Sequence, residues 1–290
     1  MVKLGGKIAI VTGGGRGIGK AIALAFAREG ADLILVSRTM SEVEKTAAEV
    51  RELGGRGLPV KADVSKRIDV TNMVNGAIEQ FGIVDILVNN AGIQGPIGLM
   101  AESDVDNWIR TVNINLIGSY LCTRAVLPAM IRRKKGKIIN LSGGGSTYPR
   151  PYFTAYSASK AAVVRLTESL AEEVRDFNIQ VNAIAPGAVN TRMLAQVLGA
   201  GEAAGEKAFA EAKLIKERGG TPPELPAGLA VFLASSESNG LTGRLISAVH
   251  DDWHRIPEQI PQIISSDIYT MRRINPKRND PENEWQKDKR

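Results

Sequence analysis

The segment Thr12-Gly13-Gly14-Gly15-Arg16-Gly17-Ile18-Gly19-Lys20 follows a strand-like apolar run at residues 7–11 and opens a helix-period stretch over residues 17–29. Glycines at a strand-to-helix turn let backbone N–H groups approach a pyrophosphate at the positive end of the helix, so the segment reads as a phosphate site. Spacing separates it from two other phosphate loops. A P-loop needs Ser or Thr after Gly-Lys to hold magnesium, and here Gly19-Lys20 is followed by Ala21. The dinucleotide pattern GxGxxG fails as well, because after Gly13 and Gly15 the third glycine position holds Ile18. What remains is TGxxxGxG.

Outward from this loop, strand-like runs fall near 7–11, 32–36, 57–60, 84–88, 137–141, 179–184 and 244–248. Helix-period segments lie near 17–29, 41–53, 66–80, 104–134, 154–176 and 223–235. This alternation is the signature of a parallel sheet covered by helices. The expected fold class is α/β, a Rossmann-type doubly wound parallel sheet of about seven strands with helices on both faces. Ser41 and Glu44 have the spacing of a capping box, which predicts the start of the second helix. No repeat or linker interrupts the pattern, so residues 1–250 read as one nucleotide-binding domain. Residues 192–222, rich in Ala, Gly, Lys and Glu, follow the sixth strand where open α/β sheets bind ligands, and read as a substrate lid or a plain surface excursion. Residues 251–290 form a carboxyl-terminal extension, with apolar content enough to pack in its first part and a polar tail after it.

At 290 residues with 43% hydrophobic and 23% charged side chains, the chain can bury a substantial core. One cysteine, Cys122, excludes an internal disulfide framework, and two histidines, His250 and His254, are too few for a Cys/His zinc site, so no metal is expected. Neither a secretory leader nor a run of about 18 uncharged apolar residues is apparent, even residues 111–123 being broken by Asn113, Asn115 and Ser119, so no membrane partner and a cytoplasmic location are expected. The net charge of +6 is half carried by residues 272–290, with seven Lys or Arg against four Asp or Glu. Residues 132–135 close a predicted helix, where cations offset the helix dipole. No basic stripe interleaved with aromatics appears, and nucleic acid is not an expected partner.

Three further motifs fall at strand ends: Asn89-Asn90-Ala91-Gly92, Tyr156-Ser157-Ala158-Ser159-Lys160 and Pro186-Gly187-Ala188-Val189-Asn190-Thr191. With TGxxxGxG they resemble, in order, the TGxxxGxG, NNAG, YxxxK and PGxVxT motifs of the short-chain dehydrogenase/reductase family, single-domain branch, over about 250 residues. The resemblance implies an oxidoreductase with a nicotinamide cofactor. Its cofactor positions fall here on Gly13, Gly15, Arg16, Gly17, Ile18 and Gly19, then on Ser37, Arg38, Asp63 and Val64. Asn90, Ala91 and Gly92, the catalytic Tyr156 and Lys160, and Pro186, Gly187, Val189 and Thr191 complete the set. An acidic residue about 20 positions past the glycine turn would accept a ribose 2′-hydroxyl, whereas an Arg suits a 2′-phosphate. Residue 37 is Ser, followed by Arg38, no carboxylate stands there, and Arg16 adds a second cation. NADP(H) is therefore the preferred cofactor, with NAD(H) possible.

Tyr156 and Lys160 are four apart on a predicted helix and share a face. A free tyrosine has a pKa of about 10, which an adjacent ammonium lowers. The resemblance implies that Tyr156 is the general acid for carbonyl reduction or the base for alcohol oxidation, and that Lys160 also holds the nicotinamide ribose. Asn115 resembles the family's helix asparagine that positions a water for the lysine; the other reading is a core residue satisfied by backbone. The family's serine is where the chain departs. Thirteen residues before Tyr156 stands Gly143, in Ile139-Asn140-Leu141-Ser142-Gly143-Gly144-Gly145-Ser146. Either Ser142 supplies the hydroxyl, or Ser146 or Thr147 substitutes, or it is absent.

Arg150, set between Pro149 and Pro151, is a stiffly presented cation near the substrate side. With Lys213, Lys216 and Arg218 it suggests an anionic substrate, against the plainer reading of surface charge. The expected substrate is a small or carrier-linked carbonyl compound, by family likeness a 3-oxoacyl thioester or else a sugar or polyol. Ser247-Ala248-Val249-His250-Asp251-Asp252-Trp253 replaces the family's VDGG. A homo-oligomer, dimer or tetramer, is expected, with residues 251–270 packing over a neighbouring subunit. A weakly catalytic nucleotide-binding sensor or scaffold is the rival from another class.

Overall fold

Ile8-Ala9-Ile10-Val11-Thr12 forms the first strand, β1 (Ile8–Thr12), with all five residues buried. Unbroken apolar runs of this kind belong to strands covered on both faces. The computed structural model describes residues 2–273. In it β1 is followed by α1 (Gly17–Arg28), β2 (Asp32–Ser37), α2 (Met40–Glu52), β3 (Gly57–Lys61), α3 (Arg67–Phe81), β4 (Ile86–Asn89), α4 (Val105–Val112), α5 (Gly118–Arg133), β5 (Gly136–Leu141), α6 (Thr154–Glu173) and β6 (Ile179–Ala185). Then come α7 (Arg192–Ala200), α8 (Glu206–Arg218), α9 (Glu224–Ala234), β7 (Leu245–Ser247) and α10 (Ile256–Ile264).

The seven strands form one sheet in the order β3-β2-β1-β4-β5-β6-β7, every pair parallel. This is the doubly wound α/β sheet. Strand alternation divides the core in two: Ala9 and Val11 of β1 pack with Ile22, Phe26 and Leu229 on the α1/α9 side, while Ile8 and Ile10 pack with Met73, Cys122 and Met130 on the α3/α5 side. The chain order reverses between β1 and β4. Crevices at such a switch point, beyond the carboxyl ends of the strands, take ligands in this class of fold.

Several local expectations are corrected. Helix α2 begins at Met40 behind Thr39, and Ser41 lies inside its first turn, so Ser41 and Glu44 do not form the capping box. The cause is the Ser37 hydroxyl, which accepts the Thr39 N–H at 2.9 Å and turns the chain earlier. The predicted helix 104–134 is interrupted by a π-helical turn, Asn113–Ile117, which sets Asn115 fully inward. Asp104 caps α4, its side chain accepting the Asn107 N–H at 2.7 Å. The combined run Val105–Arg133 is long and apolar enough by length and composition to cross a membrane, although Arg110 and Arg124 bound its uncharged part; 44% of its most apolar window is buried inside the fold.

The first part of the extension uses its apolar residues for packing. Trp253, Ile256 and Ile263 are buried in the α1/α9 core of their own chain, Trp253 stacking on Phe232 with ring centroids 6.1 Å apart. The Leu245 N–H donates to the Tyr269 carbonyl at 2.8 Å, so the chain covers the edge of its own β7. Glu168 of α6 accepts from the Met271 N–H at 2.6 Å and from Arg272 at 3.1 Å. Residues 251–270 therefore pack, in part, on their own chain. Gly228 of α9 makes room, since a Cβ there would already lie 3.4 Å from the Trp253 ring. Most of the charged tail expected at 272–290 lies outside the described residues.

Candidate active site

Thr12 ends β1 and joins the two loops at the switch point. Its hydroxyl accepts the N–H groups of Asn90 and Ala91, both at 3.0 Å, and donates to the Val88 carbonyl at 3.2 Å. The Asn90 amide donates back to the Thr12 carbonyl at 2.8 Å and to that of Gly13 at 3.3 Å. The approach is so close that a Cβ on Gly13, whose φ is +66°, would lie 2.7 Å from Asn90 Nδ2, and one on Gly19 would lie 2.3 Å from the Gly13 carbonyl oxygen. Only glycine fits these turns. Across the crevice Thr191, which precedes α7, faces Gly17 at a distance of 3.4 Å from that residue's missing Cβ. Pro186 and Val189 are buried in the same loop, while Gly187 takes φ +81°.

At the adenosine side, Arg38 is exposed at the end of β2, where the sequence expectation found no carboxylate. One is nearby all the same. Glu42 of α2 lies 3.8 Å from Arg16 and 3.8 Å from Arg192, and its Cβ is 2.7 Å from where one on Gly15 would be. It comes from the next helix, out of reach of a spacing rule. Asp63 accepts from the Ser65 hydroxyl at 2.7 Å and from its N–H at 3.0 Å. Burial pushes the Asp63 pKa up, but these bonds and the charges of Arg38 and Lys66 outweigh it and hold the carboxyl below its ordinary range. Val64, buried beside it, packs against Gly118, where a Cβ would come within 2.7 Å.

The catalytic candidates lie at the carboxyl ends of β4 and β5. Tyr156 stands in the first turn of α6 and Lys160 one turn later, the ammonium 5.8 Å from the Tyr156 ring centroid. Lys160 donates to the Leu141 carbonyl at 2.7 Å, and burial lowers its pKa to about 8. Gly92 brings the third member in: a Cβ there would lie 3.1 Å from Asn115 Oδ1 and 3.5 Å from Lys160 Nζ. Asn115 accepts the Ile93 N–H at 2.9 Å and donates to the Ile93 carbonyl and the Ser159 hydroxyl, each at 3.0 Å. Asn115 is thus satisfied by the Ile93 backbone and Ser159, and it stands beside the lysine. The expected lowering of the tyrosine pKa is not found in the free protein: burial raises it, and the Arg150 charge offsets only part of that.

The serine question takes a definite shape. Ser142 is buried, and its hydroxyl has no hydrogen-bond partner among the described residues. Ser146 is buried and its N–H donates to the Gly143 carbonyl at 3.2 Å, while Thr147 is exposed. At Gly143 itself a Cβ would lie 2.3 Å from the Tyr156 hydroxyl. The tyrosine occupies the space a serine side chain would need.

Residues 192–222 form α7 and α8, and with Phe153 they close over the tyrosine. Phe153, Tyr156, Val197, Ala204 and Ala212 make a small apolar core of their own. Sequence reasoning missed Phe153, Ser159 and the role of Thr12. It also missed a buried polar ladder in which Asn89 donates to Asn140 at 2.8 Å and Asn140 to Thr167 at 2.8 Å. Their signal was present as polar residues inside apolar strands.

The arrangement fits a nicotinamide dinucleotide. Side-chain-free turns line the start of α1, the glycine loop faces Thr191, and Lys160 stands beside Gly92 of the neighbouring loop. Comparison with known proteins agrees. Residues 7–200 match the model of the short chain dehydrogenase family. The chain is 36% identical over 245 residues to the 3-oxoacyl-(acyl-carrier-protein) reductase FabG of Thermotoga maritima, covering 84% of this chain and 97% of that one. It is 43% identical over 265 residues to the oxidoreductase UcpA of Salmonella typhimurium, covering 90% and 98%. Among solved structures, NAD+-bound xylitol dehydrogenase superposes with a TM-score of 0.79 at 31% identity, covering 84% of this chain and 98% of that one. The chain belongs to the short-chain dehydrogenase/reductase family. It is an NAD(P)-dependent oxidoreductase that transfers a hydride between a nicotinamide and a carbonyl/alcohol pair.

Proposed function

We propose that the enzyme reduces a carbonyl compound, or oxidises the matching alcohol, with NADP(H) preferred over NAD(H), and that 3-oxoacyl thioesters are its first substrate candidates. The observation that carries this is the meeting of Tyr156, Lys160, Asn115 and Gly92 beside the glycine loop. The nicotinamide, when bound, supplies or accepts the hydride. Tyr156 donates its hydroxyl proton to the carbonyl oxygen as that oxygen gains charge. Lys160, held by the Leu141 carbonyl in the free protein, is the ammonium available to the nicotinamide ribose and to the phenolate left on Tyr156. Asn115 fixes the Ile93 backbone and stands beside the lysine. Ser142 carries the one buried hydroxyl of its strand end with a donor to spare, and it binds the substrate oxygen.

On the cofactor side, Gly13, Gly15, Gly17, Ile18 and Gly19 cradle the pyrophosphate, and Asp63, Val64, Asn90 and Ala91 line the adenosine and ribose. Pro186, Gly187, Val189 and Thr191 flank the nicotinamide. Arg38 and Arg16 receive the 2′-phosphate, with Ser37 short enough to leave it room. Glu42 is shared by two arginines, so a phosphate there meets a neutralised carboxylate. The FabG likeness favours 3-oxoacyl thioesters. The xylitol dehydrogenase likeness, together with 35% identity to glucose 1-dehydrogenase 2 of Bacillus subtilis, favours a sugar or polyol as the second reading. A cytoplasmic homo-oligomer acting without nucleic acid or membrane accords with both. The sensor reading, motivated by Gly143 and the altered carboxyl terminus, is disfavoured by the likeness to catalytic oxidoreductases.

The test follows NADPH oxidation over 3-oxoacyl thioesters, keto-sugars and small ketones, with Tyr156→Phe in parallel. Turnover with one class, lost in the variant while NADPH still binds, is the expected result. Turnover that survives in Tyr156→Phe would refute the assignment of the proton.

A further inference from the structure

Gly143-Gly144-Gly145, between β5 and α6, is a bare strip of backbone with a polar side chain laid against each residue. A Cβ at 143 would lie 2.3 Å from the Tyr156 hydroxyl. One at 144 would lie 3.1 Å from the Tyr148 hydroxyl and 3.7 Å from Arg150 Nη1, and one at 145 would lie 2.3 Å from the Ser157 hydroxyl and 3.0 Å from Arg150 Cβ. Tyr156 and Arg150 thus share one floor that only glycines allow.

Arg150 is held in place and left unneutralised. Its guanidinium carbon sits 3.9 Å over the Phe153 ring and 6.0 Å from the Tyr156 ring. Pro151 restricts the Arg150 backbone, and Pro149 fixes the residue before it. Among the described residues Arg150 has no hydrogen bond and no ion pair, whereas Arg16, Arg133 and Arg165 each have a carboxylate. A half-buried guanidinium with its planar fork of donors unused is a receptor for an anion from outside. The other cations that the sequence offered stand apart: Lys213, Lys216 and Arg218 are exposed on α8, and the Lys213 ammonium lies over Phe209 at 4.1 Å.

We propose that Arg150 receives an anionic group of the substrate close to its carbonyl carbon, so that the substrate class is a carbonyl compound bearing a carboxylate or a phosphate near the reacting centre. The proposal rests on Tyr156 as the proton donor and narrows the substrate within the same reaction, since a 3-oxoacyl thioester or a neutral sugar carries no anion beside its carbonyl and would leave Arg150 unused. It also gives that donor its state: burial raises the tyrosine pKa, Arg150 works against it, and an arriving anion that neutralises Arg150 leaves the hydroxyl protonated, as carbonyl reduction requires.

The experiment compares acetoacetate with its ethyl ester, and dihydroxyacetone phosphate with dihydroxyacetone, as substrates for NADPH oxidation. The wild type is expected to favour the anion of at least one pair, and the pair that responds distinguishes carboxylate from phosphate. Arg150→Met, which keeps an unbranched apolar stem over Phe153, is expected to cut the anion-to-neutral ratio of kcat/KM roughly 10- to 100-fold, mainly through KM. Arg150→Lys should recover part of it. An unchanged ratio in Arg150→Met overturns the proposal. Calorimetric titration of 3-hydroxybutanoate and glycerol 3-phosphate into the NADP+-loaded protein reads the same contact without turnover. Binding lost in Arg150→Met but kept in Tyr156→Phe supports the anion site even if the proton assignment fails, and equal binding by wild type and Arg150→Met removes it.

Discussion

Putting the family's serine back, by Gly143→Ser, should damage the enzyme. The backbone at 143 accepts a side chain, since its φ is not among the positive values. The space does not. A Cβ would stand 2.3 Å from the Tyr156 hydroxyl, 3.0 Å from Cζ and 3.1 Å from Cε1, where ordinary contact begins at 3.4 Å. The tyrosine tip must therefore retreat by about 1 Å, and it has little freedom, because Tyr156 packs with the fully buried Phe153 and with Val197 of α7. Overpacking of this kind costs about 1–3 kcal/mol, and a misplacement near 1 Å at a reacting group costs about 10²-fold in rate. Urea denaturation should show the first loss and steady-state NADPH oxidation the second, in kcat more than in KM. A Gly143→Ser protein with full stability and higher kcat would refute the reasoning, because it would mean that the loop is slack and that the site lacks a hydroxyl.

Three more outcomes follow from particular contacts. Arg38→Asp should reverse the preference of NADPH over NADH, read as the ratio of kcat/KM values; unchanged selectivity would place the 2′-phosphate elsewhere. Lys137, which donates to Ser238 and Asn239 at 3.0 Å each, has its pKa lowered by burial to about 7, and Lys160 to about 8, from 10.5. Between those values and 10.5 the unfolded chain binds more protons than the folded one, so stability should rise with pH across that window and be least below it. Lys137→Met should flatten much of that slope in urea titrations. Trp253→Ala should lose about 3–5 kcal/mol of stability, since its ring fills the gap beside Gly228 and Phe232. Wild-type stability in that variant would show the extension to be a loose appendage.

The sheet was legible because its strands are continuous apolar runs between punctuating glycines, and every strand predicted from residues 7–11 to 244–248 has its counterpart in β1 to β7. Motifs at strand ends were legible for the same reason. What escaped is what depends on contacts distant in sequence. Nothing local marks the π turn at Asn113–Ile117; it exists because Asn115 finds the Ile93 backbone, 22 residues away. The false capping box at Ser41 failed because Ser37 intercepts the chain first. Glu42 was invisible as a neighbour of Arg16 and Arg192 because a spacing rule looks only along the chain. The docking of the extension depends likewise on distant contacts, Trp253 meeting Gly228 and Phe232 of α9.

The buried amides explain why the site is where it is. An amide taken out of water without partners is costly, so Asn89, Asn140 and Asn115 would each weaken the core if left alone. None is. Asn89 donates to Thr123 of α5 at 3.0 Å and to Asn140, Asn140 donates on to Thr167 of α6, and Asn115 closes on Ile93 and Ser159. Apolar side chains in those places would fill the volume and allow α6 to slide along the sheet. Directed bonds do not, because each has one partner at one height. The ladder therefore fixes the height of α6 against β4 and β5, and with it the level at which Tyr156 and Lys160 emerge beside Gly92 and Gly143. Precision at the reacting groups is thus set two turns further down the helix, at Thr167, where no substrate reaches.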